Sequence, residues 1–218
     1  MNKCVVFDLD ETIGFFAQLY TIAKTFETTR EYKLQKQQIL TLYKHFYNIF
    51  RPGIFTLLAY SQFLKEKYKI CIVLYTNTIM DDIWIDAFLQ YTYDMVKLEF
   101  DSVMNLNSKC RSSVKKTLQD LYTCNASLNP TTPIMIIDNK KHKHLLDKNT
   151  SYVLVKTYYY IHDNNLIWDR IHEIFNISVE NKLEKNEVSN DYNDILKKST
   201  KNEILNIISK LKMFSKSK

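Results

Sequence analysis

The sequence predicts an α/β protein with a doubly wound parallel sheet between two layers of helices, three layers in all. Three continuously apolar runs, which begin near residues 4, 70 and 134, predict strands that are buried on both faces. Segments with the apolar periodicity of helices lie between these runs, so strands and helices alternate along the chain. Each apolar run ends in polar side chains, as expected where the carboxyl ends of parallel strands form a ligand-binding edge.

The remaining elements follow from periodicity and from breaks in it. After the first strand comes an insert, residues 15–50, whose apolar spacing fits two helices around the polar stretch 27–38. The other predicted helices cover residues 54–67, 80–91, 112–122, 143–147 and 164–175. Edge strands are predicted over residues 95–100, where polar and apolar side chains alternate, and over residues 152–155.

The chain divides into a domain, residues 1–178, and a tail, residues 179–218, that reads as a basic linker followed by an amphipathic helix. The linker runs from Glu180 to Asn190, and the apolar stripe of the helix consists of Ile195, Ile204, Leu205, Ile207, Ile208 and Leu211. Lys and Arg outnumber Asp and Glu by 9 to 5 in residues 182–218, but only by 21 to 19 before them. The tail is therefore a candidate contact for nucleic acid or for a protein partner. We expect catalysis to be independent of it, because no motif lies there.

Composition limits the class of protein. The chain has neither a G-x-G-x-x-G sequence nor a Walker-type loop, so the two common nucleotide-binding motifs are excluded. It shows no signal peptide and no apolar run of transmembrane length, which predicts a cytoplasmic or nuclear protein without membrane contact. Cys4 and Cys71 lie in apolar runs and are expected to be buried free thiols, which favours a reducing compartment.

Polar side chains follow each of the three buried strands. They are Asp8, Asp10 and Thr12 after the first strand, Thr76 and Asn77 after the second, and Asp138 and Asn139 after the third. The pair Lys115-Lys116 opens the helix predicted between the second and third strands. Because the carboxyl ends of parallel strands meet at one edge, these groups should converge there. Hard oxygen ligands of this kind suit Mg²⁺, so the sequence predicts a Mg²⁺ site at this edge.

Four motifs, in this order, resemble those of haloacid-dehalogenase-superfamily phosphatases. They are DLDET at 8–12, the strand ending at Thr76, a lysine at 115 or 116, and IIDN at 136–139. Arg51-Pro52-Gly53 leads through a helix into LYTNT. That arrangement is similar to the branch of RNA-polymerase-II C-terminal-domain phosphatases and nuclear-LIM-interactor-interacting-factor-like proteins. The resemblance covers about residues 1–160 and implies hydrolysis of phosphomonoesters through an aspartyl-phosphate.

The resemblance also implies the roles of the carboxylates. Asp8 would be the nucleophile, and Asp10 would be the general acid that afterwards acts as the base. Mg²⁺ would bind Asp8, the backbone carbonyl of Asp10, and the pair Asp138-Asn139, and would offset repulsion between nucleophile and phosphate.

The remaining residues of the set would bind the phosphate. Thr76 would donate a hydrogen bond to a phosphate oxygen, and Lys116 or Lys115 would neutralise the transferring group. The spacing Lys116-x-Leu118-x-x-Leu121 resembles the branch more closely and favours Lys116. Thr12, Asn77 and Lys115 are the expected substrate contacts.

Three functions stay open from the sequence. The first is a phosphatase for phosphoserine or phosphothreonine in proteins, and the second is a phosphatase for nucleotides, nucleic-acid ends or small phosphate esters. The third is a catalytically silent binding protein on the same fold, which the complete set of motifs disfavours. The insert bears on the choice between the first two. Its 36 residues allow two helices that pack on the body, which predicts an open or half-open site and a phosphoprotein substrate, whereas a small lid would favour small phosphates.

Overall fold

A computed structural model describes residues 3–175 and 190–217, apart from the side chains of residues 175 and 190–199. Its five strands are β1 (Cys4–Phe7), β2 (Cys71–Tyr75), β3 (Ser102–Met104), β4 (Ile134–Asp138) and β5 (Thr150–Leu154). All neighbouring strands are parallel, in the order β3-β2-β1-β4-β5. The predicted doubly wound α/β fold is confirmed. The predicted linker lies outside the described residues except for Asn190, and so does the side chain of Ile195.

Helices cover both faces of the sheet, very unequally. They are α1 (Ala17–Arg30), α2 (Lys36–His45), α3 (Ile54–Tyr68), α4 (Asp82–Val96), α5 (Leu118–Cys124), α6 (Asn164–Phe175) and α7 (Asn190–Lys216). The larger core packs against the face of the sheet that bears Val5 and Phe7, and it draws on every helix but α5. The smaller core packs against Cys4 and Val6 and is covered by α5, by loop residues, and by a short 3-10 turn, Lys143–Leu145.

The insert forms the two helices that its periodicity predicts. Helix α1 packs against α6 and helix α2 packs against α4, so both belong to the helical layer on the larger core. The ammonium of Lys24 on α1 lies 2.6 Å from the carboxylate of Asp81, which caps α4. The insert therefore extends the body of the protein.

Gly14 lies where the insert leaves and rejoins the body. Its backbone forms bridges with Asp10 on one side and with Phe50 on the other. A Cβ atom at this position would lie only 2.6 Å from the carbonyl oxygen of Ile49 and 2.8 Å from the ring of Phe16. The close approach of two backbone segments requires glycine here.

The edge strand predicted over residues 95–100 is wrong. Helix α4 continues to Val96 and ends at Lys97, whose φ of 58° is left-handed. Residues 97–100 then pair with no strand, and the edge strand is β3, residues 102–104. Burial does alternate along this segment, since Leu98 is buried in the larger core between the exposed Lys97 and Glu99. The segment that produces this pattern is a loop after α4.

The helix predicted over residues 112–122 is also wrong at its start. Helix α5 begins at Leu118, and its cap is Thr117, whose side chain accepts a hydrogen bond from the N–H of Asp120. Ser112 does not cap a helix. Its N–H and hydroxyl both donate to the carboxylate of Asp120, at 2.8 and 2.7 Å, and hold residues 112–117 as a loop.

The cysteines divide into two kinds. Cys4 and Cys71 are free and buried, as predicted. Cys110 and Cys124 form a disulfide that joins the loop before α5 to the end of that helix, and no pattern in the sequence predicts this pairing. The compartment stays a prediction. Among the described residues, no helix combines the length and apolar character needed to cross a bilayer.

Helix α7 docks on the body. Ile204, Ile207 and Leu211 of the predicted stripe are buried in the larger core, where α7 packs against α3. Leu205 belongs to the predicted stripe, but it is 55% exposed. At the far end of the helix, the ammonium of Lys3 donates to the carbonyl oxygen of Phe214 at 2.6 Å.

Candidate active site

A buried ammonium joins two carboxylates from neighbouring strands. The Nζ of Lys116 lies 2.6 Å from Oδ1 of Asp8 and 2.8 Å from Oδ2 of Asp138. Asp8 follows β1 directly and Asp138 is the last residue of β4. All three side chains are at least 90% buried, so the two carboxylates are held by this cation and by hydrogen bonds, with little help from solvent.

The sheet topology explains why these carboxylates meet. Chain order runs outward from β1 through β2 to β3, and then returns to β4 on the other side of β1. Ligands of open α/β sheets bind at such a switch point, outside the carboxyl ends of the strands. The N–H of Asp8 donates to the carbonyl of Ile137 at 3.0 Å, so the parallel ladder itself aligns Asp8 with Asp138. The predicted convergence of the first and third strand ends is confirmed.

Lys116 lies in a loop that hydrogen bonds to Tyr75 and contacts with Arg111 and Asp120 hold in place. The hydroxyl of Tyr75, the last residue of β2, accepts the N–H of Thr117 at 2.9 Å. The same hydroxyl lies 3.4 Å from the buried carboxylate of Asp120. Arg111 stacks on the Tyr75 ring, 4.9 Å from its centroid. Because Lys116 directly precedes the anchored Thr117, its side chain is directed into the sheet edge.

Asp10 has the environment of a proton donor. Burial first, and then the nearby carboxylates of Asp8 and Glu11, raise its pKa from 3.8 to about 6, although a hydrogen bond with Thr78 and the charge of Lys116 oppose the shift. A carboxyl group with this pKa can give and take a proton near neutral pH.

The other two carboxylates shift in opposite directions. Burial raises the pKa of Asp8, and the charge of Asp138 adds to that effect, against the opposing charge of Lys116. Burial alone would also raise the pKa of Asp138, but contacts with His142, Lys116 and the N–H of Lys140 bring it below its ordinary value. Of the pair, Asp138 is therefore the more firmly anionic.

Thr12 and Asn139 connect the loops that follow β1 and β4. The Thr12 hydroxyl lies 3.1 Å from Oδ2 of Asp8 and accepts the N–H of Asn139 at 3.0 Å. The side-chain amide of Asn139 donates to the carboxylate of Glu11 at 2.7 Å. Thr12 is buried. Both side chains were expected at the substrate or the metal, and the structure places them in bonds that hold the Asp8 side chain and the two loops together.

Thr76 and Asn77 lie on the other side of Asp8, at the end of β2. Thr76 is fully buried, and its hydroxyl oxygen accepts the N–H of Thr78 at 3.0 Å. Asn77 is exposed, and Arg111 donates to its side-chain oxygen at 2.9 Å. Lys115 is exposed as well, whereas its neighbour Lys116 is buried. The geometry therefore selects Lys116 as the lysine of the site, the choice that the sequence left open.

Several residues of the site were missed from the sequence. Glu11, Arg51, Thr78, Arg111 and His142 each contact a predicted site residue or its backbone. Asp120 instead contacts Ser112 and Thr117 in the loop that carries Lys116. Glu11, Thr78 and Arg51 lie inside the DLDET, LYTNT and Arg-Pro-Gly motifs that the sequence did single out. Arg111, Asp120 and His142 carried no signal of their own, because a single charged or titratable residue has no pattern.

The donor set is compatible with Mg²⁺. Asp8 and Asp138 both reach the same Lys116 nitrogen, so hard oxygen ligands from two strands converge on one point. No group of three or more His, Cys, Asp or Glu side chains in the described part of the chain is arranged to hold a metal. Mg²⁺ commonly takes only one or two carboxylates and completes its shell with phosphate and water, so this pair with a backbone carbonyl fits it.

Comparisons with known proteins do not bear on the family. No family model matches the chain, and searches of curated proteins and of solved structures also found no match.

Lys116→Ala should lower the free energy of unfolding at pH 7 by about 3 kcal/mol or more, because it leaves two carboxylates buried without a counter-charge. Urea denaturation followed by circular dichroism measures the loss. The matched control is Lys115→Ala at the adjacent exposed position, which should change stability by less than about 0.5 kcal/mol. Equal losses in the two variants would contradict the burial of Lys116 between Asp8 and Asp138.

Proposed function

We propose that the protein is a Mg²⁺-dependent phosphatase of the haloacid-dehalogenase type, which hydrolyses phosphomonoesters through an aspartyl-phosphate. The observation that carries the proposal is the buried arrangement of Asp8, Lys116 and Asp138 at the switch point, with the proton donor Asp10 two residues from Asp8. It combines a nucleophile, a fixed positive charge and an acid that titrates near neutrality. Phosphoryl transfer needs these three functions and little other covalent chemistry.

In the first step, a carboxylate oxygen of Asp8 attacks phosphorus, and the bond between phosphorus and the ester oxygen breaks. Asp10 donates its proton to the departing alkoxide, which leaves as an alcohol. In the second step, water attacks phosphorus and gives a proton to the Asp10 carboxylate, and the bond to Asp8 breaks. Inorganic phosphate leaves, and both carboxyl groups return to their initial states. A pKa of about 6 suits Asp10 to both proton transfers.

Positive charge has to follow the phosphoryl group through both steps. The Lys116 ammonium already contacts Asp8, so it lies where charge develops on the transferring group. Mg²⁺ would be held by Asp8, Asp138 and the backbone carbonyl of Asp10. When bound there, it reduces the repulsion between the anionic nucleophile and the anionic phosphate. The Asn139 side chain contributes through its bonds to Glu11 and Thr12, which keep the ligand-bearing loops in place.

Asp8→Asn should reduce Mg²⁺-dependent hydrolysis of p-nitrophenyl phosphate to the uncatalysed background, because an amide does not replace the carboxylate nucleophile. Asp10→Asn should lower the rate roughly 10²- to 10⁴-fold with the poorer leaving group of phenyl phosphate. EDTA should abolish the activity of the wild type and Mg²⁺ should restore it. Full activity in EDTA, or wild-type turnover by the Asp8 variant, would refute the proposed chemistry.

The packing of the insert favours a macromolecular substrate. Helices α1 and α2 lie in the helical layer against α6 and α4, so the insert packs on the body and does not form a separate lid domain. A site without a lid would admit a phosphoserine or phosphothreonine side chain of a protein, which is the substrate that we propose first.

A second candidate is the phosphorylated end of a nucleic acid, which the distribution of charge favours. Residues 105–117 and 139–143 contain seven Lys or Arg side chains and no Asp or Glu. The rest of the chain contains 23 Lys or Arg side chains and 24 Asp or Glu side chains. These two segments follow β3 and β4 and so flank the carboxyl ends of β2 and β1. Lys109, Lys115, Lys140 and Lys141 are exposed in them. These two segments thus place a cluster of positive charge beside the site, where a polyanion would approach.

A panel of phosphopeptides, phosphorylated oligonucleotides and small phosphate esters distinguishes the two candidates. The double variant Lys109→Glu/Lys141→Glu should lower kcat/KM for oligonucleotide ends at least tenfold and make it less dependent on salt. Its kcat/KM for p-nitrophenyl phosphate should stay unchanged. Lys67→Glu on α3 is the matched control. A preference for phosphopeptides that the double variant retains would select the protein phosphatase, and a preference for small metabolites would contradict both.

A further inference from the structure

A second buried cation, Arg51, binds the backbone of the loop that carries Asp10. Arg51 is 1% exposed and ranks among the largest fully buried side chains of the described residues. Its Nε donates to the carbonyl of Thr12 at 2.6 Å, and its Nη2 donates to the carbonyl of Glu11 at 2.7 Å. These carbonyls belong to the two residues that directly follow Asp10. Arg51 therefore fixes the backbone that carries the proposed acid.

That backbone is in a conformation that needs support. Glu11 has a φ of 62°, in the left-handed region that side chains other than glycine rarely adopt. Such a conformation persists only where surrounding contacts hold it. The Glu11 carbonyl accepts hydrogen bonds from Arg51 and from the N–H of Tyr158 at 2.9 Å, and its carboxylate accepts one from Asn139.

The counter-charge of Arg51 comes from the tail. Oε2 of Glu203 on α7 lies 2.8 Å from Nη1 of Arg51, and its Oε1 accepts the N–H of Lys156 at 2.7 Å. Nη2 of Arg51 donates to the carbonyl of the same Lys156 at 2.6 Å. Burial lowers the pKa of Arg51, and the charge of Glu203 opposes that shift. Without Glu203, the guanidinium would be buried with neutral partners only.

Helix α7 is fixed at both ends of the contact. Ile204, adjacent to Glu203, packs 3.5 Å from the position of a Cβ at Gly53, two residues from Arg51. Ten residues further along, the carbonyl of Phe214 accepts the ammonium of Lys3, next to the first residue of β1. The helix thus spans the body between the site and the amino ends of the strands, and the contact of Ile204 keeps the adjacent Glu203 beside Arg51.

We propose that Glu203 is a positioning residue for the proposed phosphatase, acting through Arg51 on the backbone of Glu11 and Thr12 and so on the direction of the Asp10 carboxyl. This role rests on the proposed function. It makes α7 an integral part of the catalytic unit, in contrast to the dispensable tail expected from the sequence. The carboxylate of Glu203 on α7 neutralises Arg51, and Arg51 in turn holds the backbone that follows Asp10.

The test compares Glu203→Ala and Glu203→Gln with Asn206→Ala, an exposed position on the same helix, in the full chain. The ratio of kcat/KM for p-nitrophenyl phosphate to that for phenyl phosphate reports on general acid catalysis, because only the poorer leaving group needs the proton. A misplaced Asp10 should raise this ratio about tenfold in Glu203→Ala. Glu203→Gln keeps an oxygen for Lys156 and should give a smaller rise, and Asn206→Ala should give none.

Partial unfolding would lower both rates equally and leave the ratio unchanged, and that result would overturn the positioning role. Amide hydrogen exchange over residues 9–16 tests, independently of activity, whether Glu203 on α7 stabilises the backbone of this loop. Exchange should be several-fold faster in Glu203→Ala than in the wild type and in Asn206→Ala. Unchanged exchange would overturn the link between α7 and the site. A wild type without turnover of either ester would refute the proposed function, and with it the catalytic half of this proposal, while exchange would still decide the link.

Discussion

The contact of one buried ammonium with two buried carboxylates is the interaction on which the rest of the site depends. Asp8 and Asp138 end adjacent parallel strands, and the Lys116 nitrogen at 2.6 and 2.8 Å offsets the cost of burying their two negative charges. A cation held between two anions is stable only if all three are fixed. The parallel ladder fixes the carboxylates, and the bond from Thr117 to Tyr75 fixes the lysine. The fold thus brings the two carboxylates together by placing the two strand ends side by side.

Two buried cations, Lys116 and Arg51, contact different parts of the loop that follows β1. Lys116 faces the carboxylate of Asp8, whereas Arg51 binds the backbone carbonyls of Glu11 and Thr12. Between them lies Asp10, whose burial raises its pKa to about 6. Burial favours the protonated acid and also makes every charge around it costly, so each cation has an anionic partner. For Arg51 that partner, Glu203, comes from the far end of the chain.

The sequence predicted the strand ends well because strands have a strong local signal. Continuous apolar runs before Asp8, Thr76 and Asp138 left few alternatives, and parallel topology then required the first and third to meet. It predicted the loops poorly, because Ser112 and residues 95–100 have local patterns that tertiary contacts override. The disulfide between Cys110 and Cys124 and the ion pair between Arg51 and Glu203 join segments that carry no shared motif. Such contacts follow from how the layers pack, which no local pattern contains.

The measurement that tests the proposed phosphatase most directly is the location of the phosphoryl group on the protein. Brief reaction of the Asp10→Asn variant with Mg²⁺ and an activated phosphate ester, followed by borohydride, converts an aspartyl-phosphate into homoserine, which tandem mass spectrometry assigns to a single position. The account predicts homoserine at position 8 and nowhere else. Homoserine at position 138, or phosphate on any other side chain, would contradict it.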